Sequence, residues 1–432
     1  MSYSKTFCPY PWIHLMTQPM GTTSWCCISR EQFLKEDGTM FDLNQGDDIG
    51  DIWNSEHMKQ IREKMLKGEK VSGCEHCYDM EELGFKSYRE NFINDWMGPN
   101  SKHFDEILER IEYSIENNFN VNKPPIYLDF RLSNLCNLKC RMCQPQNSST
   151  INKEYNEILQ NNEEDGQFLK DNFTWGGFAD GITPWQDNPK FLKQVEEWLP
   201  GVNKLYFTGG EPTIIDRTYW ILDKCIEMGI AHKIDLLFNS NMTNIQRKFI
   251  DKLSKFNNVM MCVSVDGFEK VNNYIRGNSH WNIIDKHIQE YCSAGVIGDV
   301  VLTPVVQVYN ILNITDLLDY AEQTQLKTTT NVGVDFLINT YPPTLDIRIL
   351  PDNVREEAIK RIEDWKKRSK VLMKRPHNAH AVNTIITTLK EKRRDDWEHQ
   401  LKIFKQYTEL LDKKRNQSMK EFLPELYEMM YE

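Results

Sequence analysis

Eleven cysteines stand out in this chain of 432 residues. Closely spaced cysteines in a reducing compartment mean metal or redox chemistry more often than disulfides. The tightest group is RLSNLCNLKCRMC, which places Cys136, Cys140 and Cys143 within eight residues. Three thiolates at this spacing wrap one face of a compact metal centre and leave one position without a protein ligand. Structural zinc is normally closed by four ligands. An iron–sulfur cluster held by three Cys keeps one iron open, which suits a centre where a second molecule coordinates. Spacing alone favours a metal without naming it. A looser group runs through FCPYPWIHLMTQPMGTTSWCCISR and CEHCYDMEELGFKSYRE. There Cys8, Cys26 or Cys27, Cys74 and Cys77 offer four thiolates, enough for zinc or for an iron–sulfur cluster. His14 and His76 lie near these cysteines and read as satisfied polar or surface residues. Cys225, Cys262 and Cys292 sit in apolar surroundings and read as small buried hydrophobes.

The elements that must position these thiols divide the chain into four segments. Residues 1–97 lack a long regular pattern, are rich in turn residues and aromatics, and would gain stability from a bound metal. Residues 98–125 form a linker, with Phe104, Ile107, Leu108, Ile111 and Ile115 at the spacing of an amphipathic helix that Pro124 and Pro125 end. Residues 126–345 carry six β-rich runs: IYLDFRL (126–132), KLYFTGG (204–210), DLLFNS (235–240), VMMCVSV (259–265), VVLTPVV (300–306) and NVGVDFL (331–337). Helical patterns separate most of them, so parallel βαβ units follow. Six units predict an α/β fold with an open, partial (β/α)6 barrel, whose chemistry sits at the carboxyl ends of the strands. Strand alternation points Asp129, Arg131, Gln307 and Asn310 inward. The gap between the first two runs is long for a connection. It carries WGGFADGITPW (175–185), either a surface excursion with its own aromatic cluster or a lid. Residues 346–432 read as a charged helical extension for packing or oligomerisation.

The cysteine triplet directly after the first strand resembles the cluster motif of the radical S-adenosylmethionine (SAM) superfamily. Phe207-Thr208-Gly209-Gly210-Glu211-Pro212, at the end of the second run, is similar to the Gly-Gly-Glu-Pro motif of the same superfamily. The resemblance implies that Cys136, Cys140 and Cys143 hold a catalytic [4Fe-4S] cluster whose open iron is chelated by SAM. It implies that Gly209 and Gly210 let the backbone approach SAM, with Glu211 on its ammonium. Ser240 and Asn241 would contact the ribose, and Ser264 and Arg276 the carboxylate. Met142 stands where the family usually has an aromatic over the adenine, and its polarizable side chain can still pack there. One-electron cleavage of SAM would then give a 5′-deoxyadenosyl radical that removes hydrogen from an unactivated C–H bond. The first cysteine group, with Gly21-x4-Cys26-Cys27, Ile52-Trp53-Asn54-Ser55 and Cys74-x2-Cys77, resembles the SPASM or twitch module. That implies a second, auxiliary [4Fe-4S] cluster on Cys8, Cys26, Cys74 and Cys77, with Cys26 fitting better than Cys27. The module usually follows the barrel, whereas here it precedes it.

Composition bounds the partners. Lys and Arg number 52 against 63 Asp and Glu, a net charge of −11, with 40% hydrophobic residues. Sequence-independent nucleic-acid binding gains nothing from that charge. No apolar run approaches the length of a membrane span, and the N-terminus lacks a secretory pattern, so a cytoplasmic protein is expected. The expected partners are a substrate, peptide or protein ahead of small molecule, and a one-electron donor such as a flavodoxin or ferredoxin. Two alternatives stand beside this reading. One is a zinc-stabilised, non-catalytic binding module on a barrel scaffold. The other is an RNA-modifying radical SAM enzyme, which would need a basic face.

Overall fold

A computed structural model describes residues 4–29, 31–84, 86–174, 178–179 and 184–431. The fold is mixed α/β, with a mostly parallel central sheet and many helices, consistent with a partial barrel. The strands are β1 (His14–Thr17), β2 (Thr23–Ser24), β3 (Tyr127–Phe130), β4 (Lys139–Cys140), β5 (Lys204–Phe207), β6 (Asp235–Ser240), β7 (Asn258–Val263), β8 (Arg276–Gly277), β9 (Asp299–Leu302), β10 (Val305–Val306), β11 (Asn331–Val334) and β12 (Leu337–Ile338). All six β-rich runs of the sequence form strands: β3, β5, β6, β7, β9 and β11. No helix among the described residues is long and apolar enough to cross a membrane.

The chain forms two compact units. The first holds residues 1–134, 180–237 and 255–257; the second holds 135–179, 238–254 and 258–432. Strand β6 begins in the first and ends in the second. In the first unit β5, β3 and β1 run parallel, and β2 turns back antiparallel on β1. Every residue of β1 and β3 is buried, as expected of parallel strands covered on both faces. Strand β1 comes from the segment that reads as irregular, which also contains the helices Glu56–Lys67 and Tyr88–Met97. These elements are short and sharply capped. Ser55 accepts from Met58 N and Gly68 closes Glu56–Lys67 in the left-handed conformation, so no long periodicity builds up. The linker helix forms over Phe104–Glu116, and its Ser114 Oγ accepts a hydrogen bond from Trp12 Nε1 at 2.9 Å.

In the second unit β7, β9 and β11 are parallel, and β4 pairs antiparallel with β8. The C-terminal segment carries the helices Asp352–Arg368, Pro376–Lys390 and Trp397–Arg415. Ile403, Tyr407 and Leu411 close a core with Ile151, Tyr155, Ile158, Leu169 and Phe173. Most of the 175–185 string, and with it the choice between lid and excursion, lies outside the described residues. In the first unit its last residue, Trp185, is buried and donates to Pro19 O at 3.2 Å.

Candidate functional site

The cysteine triplet lies in the second unit, on the loop that follows β3. Cys140 is the second residue of β4 and pairs in register with Arg276 of β8. That pairing sets Arg276 Nη1 3.9 Å from Cys140 Sγ. Cys143 N donates to Cys140 O at 3.0 Å, which curls the loop back on itself. Cys136 N donates to Ser149 Oγ at 3.2 Å. Burial pushes the Cys143 thiol up, and the neighbouring Cys140 and Cys136 push it further, while Arg276 opposes them. Burial also raises Cys140, with Arg276 the cation that most relieves it. Three thiols, one buried and two half-buried, that repel one another as thiolates fit a positively charged metal cluster.

Arg276 is held rather than free. Its Nε donates to Asp266 Oδ2 at 2.6 Å, and Asp266 Oδ1 accepts from Val305 N at 2.8 Å. Asn310 Nδ2 donates to Asp266 O at 2.9 Å. Asp266 and Asn310 therefore fix the arginine's direction. Asn241 Nδ2 donates to Asn137 Oδ1 at 3.0 Å, inside the triplet loop, and Asn137 Nδ2 donates to Thr243 Oγ1 at 2.8 Å. The end of β6 thus ties directly to the cluster loop. Ser240 O accepts from Ser264 N at 2.8 Å. Ser264 and Met142 are half-buried. Among the candidates, Met142, Ser240, Asn241, Ser264 and Arg276 share the second unit with the triplet, whereas Gly209, Gly210 and Glu211 belong to the first.

In the first unit Gly209 has φ +109°, and a Cβ there would lie 3.2 Å from Arg131 Cα and from Ser133 O. Only glycine fits both constraints. Gly210 N donates to Ser133 O at 2.9 Å. Glu211 is buried, and its Oε1 accepts from Thr213 N at 3.1 Å and Thr213 Oγ1 at 2.7 Å. This caps the short helix Pro212–Ile214. Asp129 is fully buried with no hydrogen-bond partner on either oxygen, and Arg131 Nε lies 3.6 Å away.

The first thiol group gathers around Cys8. Burial pushes Cys8 up, and Cys74 and Cys77 push it further, with Arg89 opposing. Cys8 in turn bears on Cys26. Cys27 is lowered first by its hydrogen bond with Cys26, and it also feels the charges of Asp129 and Arg131. Ile28 N lies 3.4 Å from Cys26 Sγ, a backbone N–H directed at the sulfur. The β1–β2 hairpin brings Cys26 into place two residues after β2 ends. Trp25 Nε1 is buried without a hydrogen-bond partner. It nonetheless lies near enough to Cys74 to favour its thiolate while falling short of a hydrogen bond. A Cβ on Gly73 would sit 2.6 Å from Trp25 Cζ2, so the indole packs where only glycine precedes Cys74. An orphaned indole N–H beside a thiol fits a cluster ligand, since such donors tune cluster potential. His14 is buried, its Nδ1 2.9 Å from Trp25 O, and burial lowers its pKa to about 3. His76 is half-buried. Cys225 and Cys292 are buried and Cys262 half-buried. Among the described residues, no group of three or more His, Cys, Asp or Glu is arranged for a single metal ion.

Parallel strands with a three-thiol loop, and a second thiol group on the same kind of scaffold, define a protein class suited to thiolate-held metal clusters. Residues 130–321 match the radical SAM superfamily, and residues 8–78 match the iron–sulfur cluster-binding domain called SPASM. The chain carries a radical SAM domain, with a SPASM domain on its N-terminal side. Those two domains imply a [4Fe-4S] cluster with SAM, and auxiliary iron–sulfur binding. Among solved structures, it is similar to Streptococcus suis SuiB bound to S-adenosylmethionine, with 14% identity over 72% of this chain and 61% of that one, at TM-score 0.34. Native anSMEcpe with bound AdoMet gives 19% identity over 56% and 60%, at TM-score 0.38. S. suis SuiB bound to precursor peptide SuiA gives 16% over 68% and 60%, at TM-score 0.33. The chain thus spans about 60% of the length of these structural relatives. Comparison with curated proteins gives no match.

Proposed function

We propose that this protein is a radical SAM enzyme that activates a C–H bond of a peptide or protein substrate. Cys136, Cys140 and Cys143 would hold a [4Fe-4S] cluster, and that cluster with SAM would supply the one-electron reductive cleavage that yields methionine and a 5′-deoxyadenosyl radical. The observation that carries this reading is the gathering of the three thiols on one loop, Cys140 buried and Cys136 and Cys143 half-buried, with Arg276, itself fixed by Asp266, beside Cys140.

Gly209 and Gly210 present bare backbone, and Glu211, steadied by Thr213, offers a carboxylate to an ammonium group. Arg276 faces the cluster loop and offers a cation to a carboxylate, with Ser264 beside the same strand end. Ser240 and Asn241 line the end of β6, and Met142 supplies an apolar surface for the adenine. Cys8, Cys26, Cys74 and Cys77 hold the auxiliary cluster, with Cys27 left outside the ligand set. A peptide or protein is placed first as substrate because many carriers of this module act on peptides. A flavodoxin or ferredoxin in a reducing cytoplasm would supply the electron.

The test is anaerobic reconstitution with iron and sulfide, then SAM and a strong reductant, with 5′-deoxyadenosine read by mass spectrometry. The parent should form it, and a variant with Cys136, Cys140 and Cys143 all changed to Ala should not. A colourless protein that takes zinc and no iron–sulfur cluster would sink the proposal.

A further inference from the structure

The residue between Cys140 and Met142 is Arg141, and its side chain points away from the thiols. It is fully buried. Its guanidinium lies over the Tyr274 ring at 3.8 Å and the Tyr309 ring at 5.3 Å. Nη2 donates to Asp412 Oδ1 at 2.5 Å, and Nε donates to Tyr274 O at 3.1 Å. The backbone is held as firmly. Arg141 N donates to Ile275 O at 2.8 Å. Tyr407 Oη donates to Arg141 O at 2.5 Å. Both Tyr407 and Asp412 belong to the helix Trp397–Arg415.

That helix makes a third attachment. Arg415 Nη2 pairs with Glu154 Oε2 at 2.6 Å, and Glu154, also buried, pairs with Lys139 Nζ at 3.2 Å, the residue before Cys140. Tyr407, Leu411 and Arg415 recur every four residues and share one helical face, and Asp412, three residues before Arg415, lies on the flank of that face. Asp412 is itself fully engaged. Besides Arg141 it accepts from Tyr274 Oη at 2.9 Å and from Met419 N at 2.6 Å. A carboxylate bound this way holds a fixed position, and a buried arginine paired to it cannot swing. Arg276 is the cation that bears most on Cys140 and Cys143, so Arg141 serves by position rather than by charge.

We propose that the helix Trp397–Arg415 is a brace for the cluster loop: Tyr407 and Asp412 are positioning residues that act through Arg141 to set the directions of Cys140 and Cys143. This rests on the reading that the triplet holds the cluster. It gives the C-terminal extension a task at the centre of the chemistry, and it makes the geometry of the SAM-binding iron depend on a segment outside the barrel strands.

The experiment uses the full chain, reconstituted anaerobically and reduced with dithionite. The readouts are iron per chain, the melting temperature, and the change in the cluster's electron paramagnetic resonance spectrum on adding SAM. The variants are Asp412→Asn, Tyr407→Phe and Asp412→Glu, with Ile385→Val as a control. Ile385 is buried in the neighbouring helix Pro376–Lys390, and its shortening perturbs the core without touching Arg141. The expected result is loss of at least half of the SAM-induced spectral change in Asp412→Asn and Tyr407→Phe, recovery in Asp412→Glu, and full retention in Ile385→Val despite a lowered melting temperature. If Asp412→Asn does not fold, Tyr407→Phe carries the test, since its ring keeps the stack on Phe173 at 3.7 Å. Full retention in both brace variants, or an equal loss in the control, overturns the proposal. A parent without SAM-sensitive signal, or a Cys136/Cys140/Cys143 triple alanine variant with the parent's signal, overturns the underlying reading as well.

Discussion

Asp129 shows how much one buried residue can set. Burial pushes its carboxyl up to about 6, with the charge of Arg131 working against the rise. A folded-state value above the unfolded one means that the neutral acid is held through the weakly acidic range. The stability it contributes is complete below the unfolded carboxyl value and is lost as pH rises through about 6. At about 1.4 kcal/mol per pKa unit, ionised Asp129 costs the fold about 3 kcal/mol at neutral pH. Infrared spectra should therefore show a protonated carboxyl band at pH 5 that fades by pH 7 and is missing in Asp129→Asn. No such band at pH 5 would contradict the burial argument. A second residue-scale prediction separates the adjacent thiols. Cys26→Ser should lose about four iron per chain, one cluster's worth, while Cys27→Ser keeps the parent's iron. The sequence left this pair open because both thiols sit at usable spacing. The two thiols bear on each other first; beyond that pair, Cys8 bears on Cys26, whereas Asp129 and Arg131 bear on Cys27.

Among the elements, the helix Glu56–Lys67 is pinned by Arg62, which is fully buried. Its guanidinium donates to the carbonyls of Pro11 and Trp53 at 2.8 Å, to Phe119 O at 2.9 Å and to Asn54 Oδ1 at 2.9 Å. Arg62→Ala strands these acceptors, each at about 1–3 kcal/mol, so denaturant unfolding should show a loss of at least about 3 kcal/mol. A loss under 1 kcal/mol would mean that water reaches the site. The six sheet strands were legible because runs such as KLYF and NVGV carry aromatic or β-branched residues and are bounded by turns. Strand β1 was not. Its four residues, HLMT, alternate weakly and gain their strand from pairing with Tyr127–Asp129, more than a hundred residues along. The triplet, the glycines and Arg276 were legible from local motif. Asp412 and Tyr407 were not, since no local pattern announces a partner 271 or 266 residues away.

At the scale of the whole molecule, the two compact units interleave along the chain. Residues 346–432 belong with 135–179 in the second unit, and Ile403, Tyr407 and Leu411 complete the core around Tyr155 and Phe173. A chain ended at residue 345 should therefore expose that core. Limited proteolysis should cut it within the helices Ser149–Asn161 and Glu163–Phe173, which are protected in the full protein. Equal protection in both would show that the extension is dispensable. The same wiring has a consequence for synthesis. Cys143 leaves the ribosome well before Asp412, and at about 5–20 residues per second the interval is roughly 15 to 50 s. Through that time the nascent chain carries the three thiols without their clamp, open to oxidation and to the wrong metal. On the proposed reading, the loop reaches its final geometry for a cluster only after the helix Trp397–Arg415 has emerged and packed.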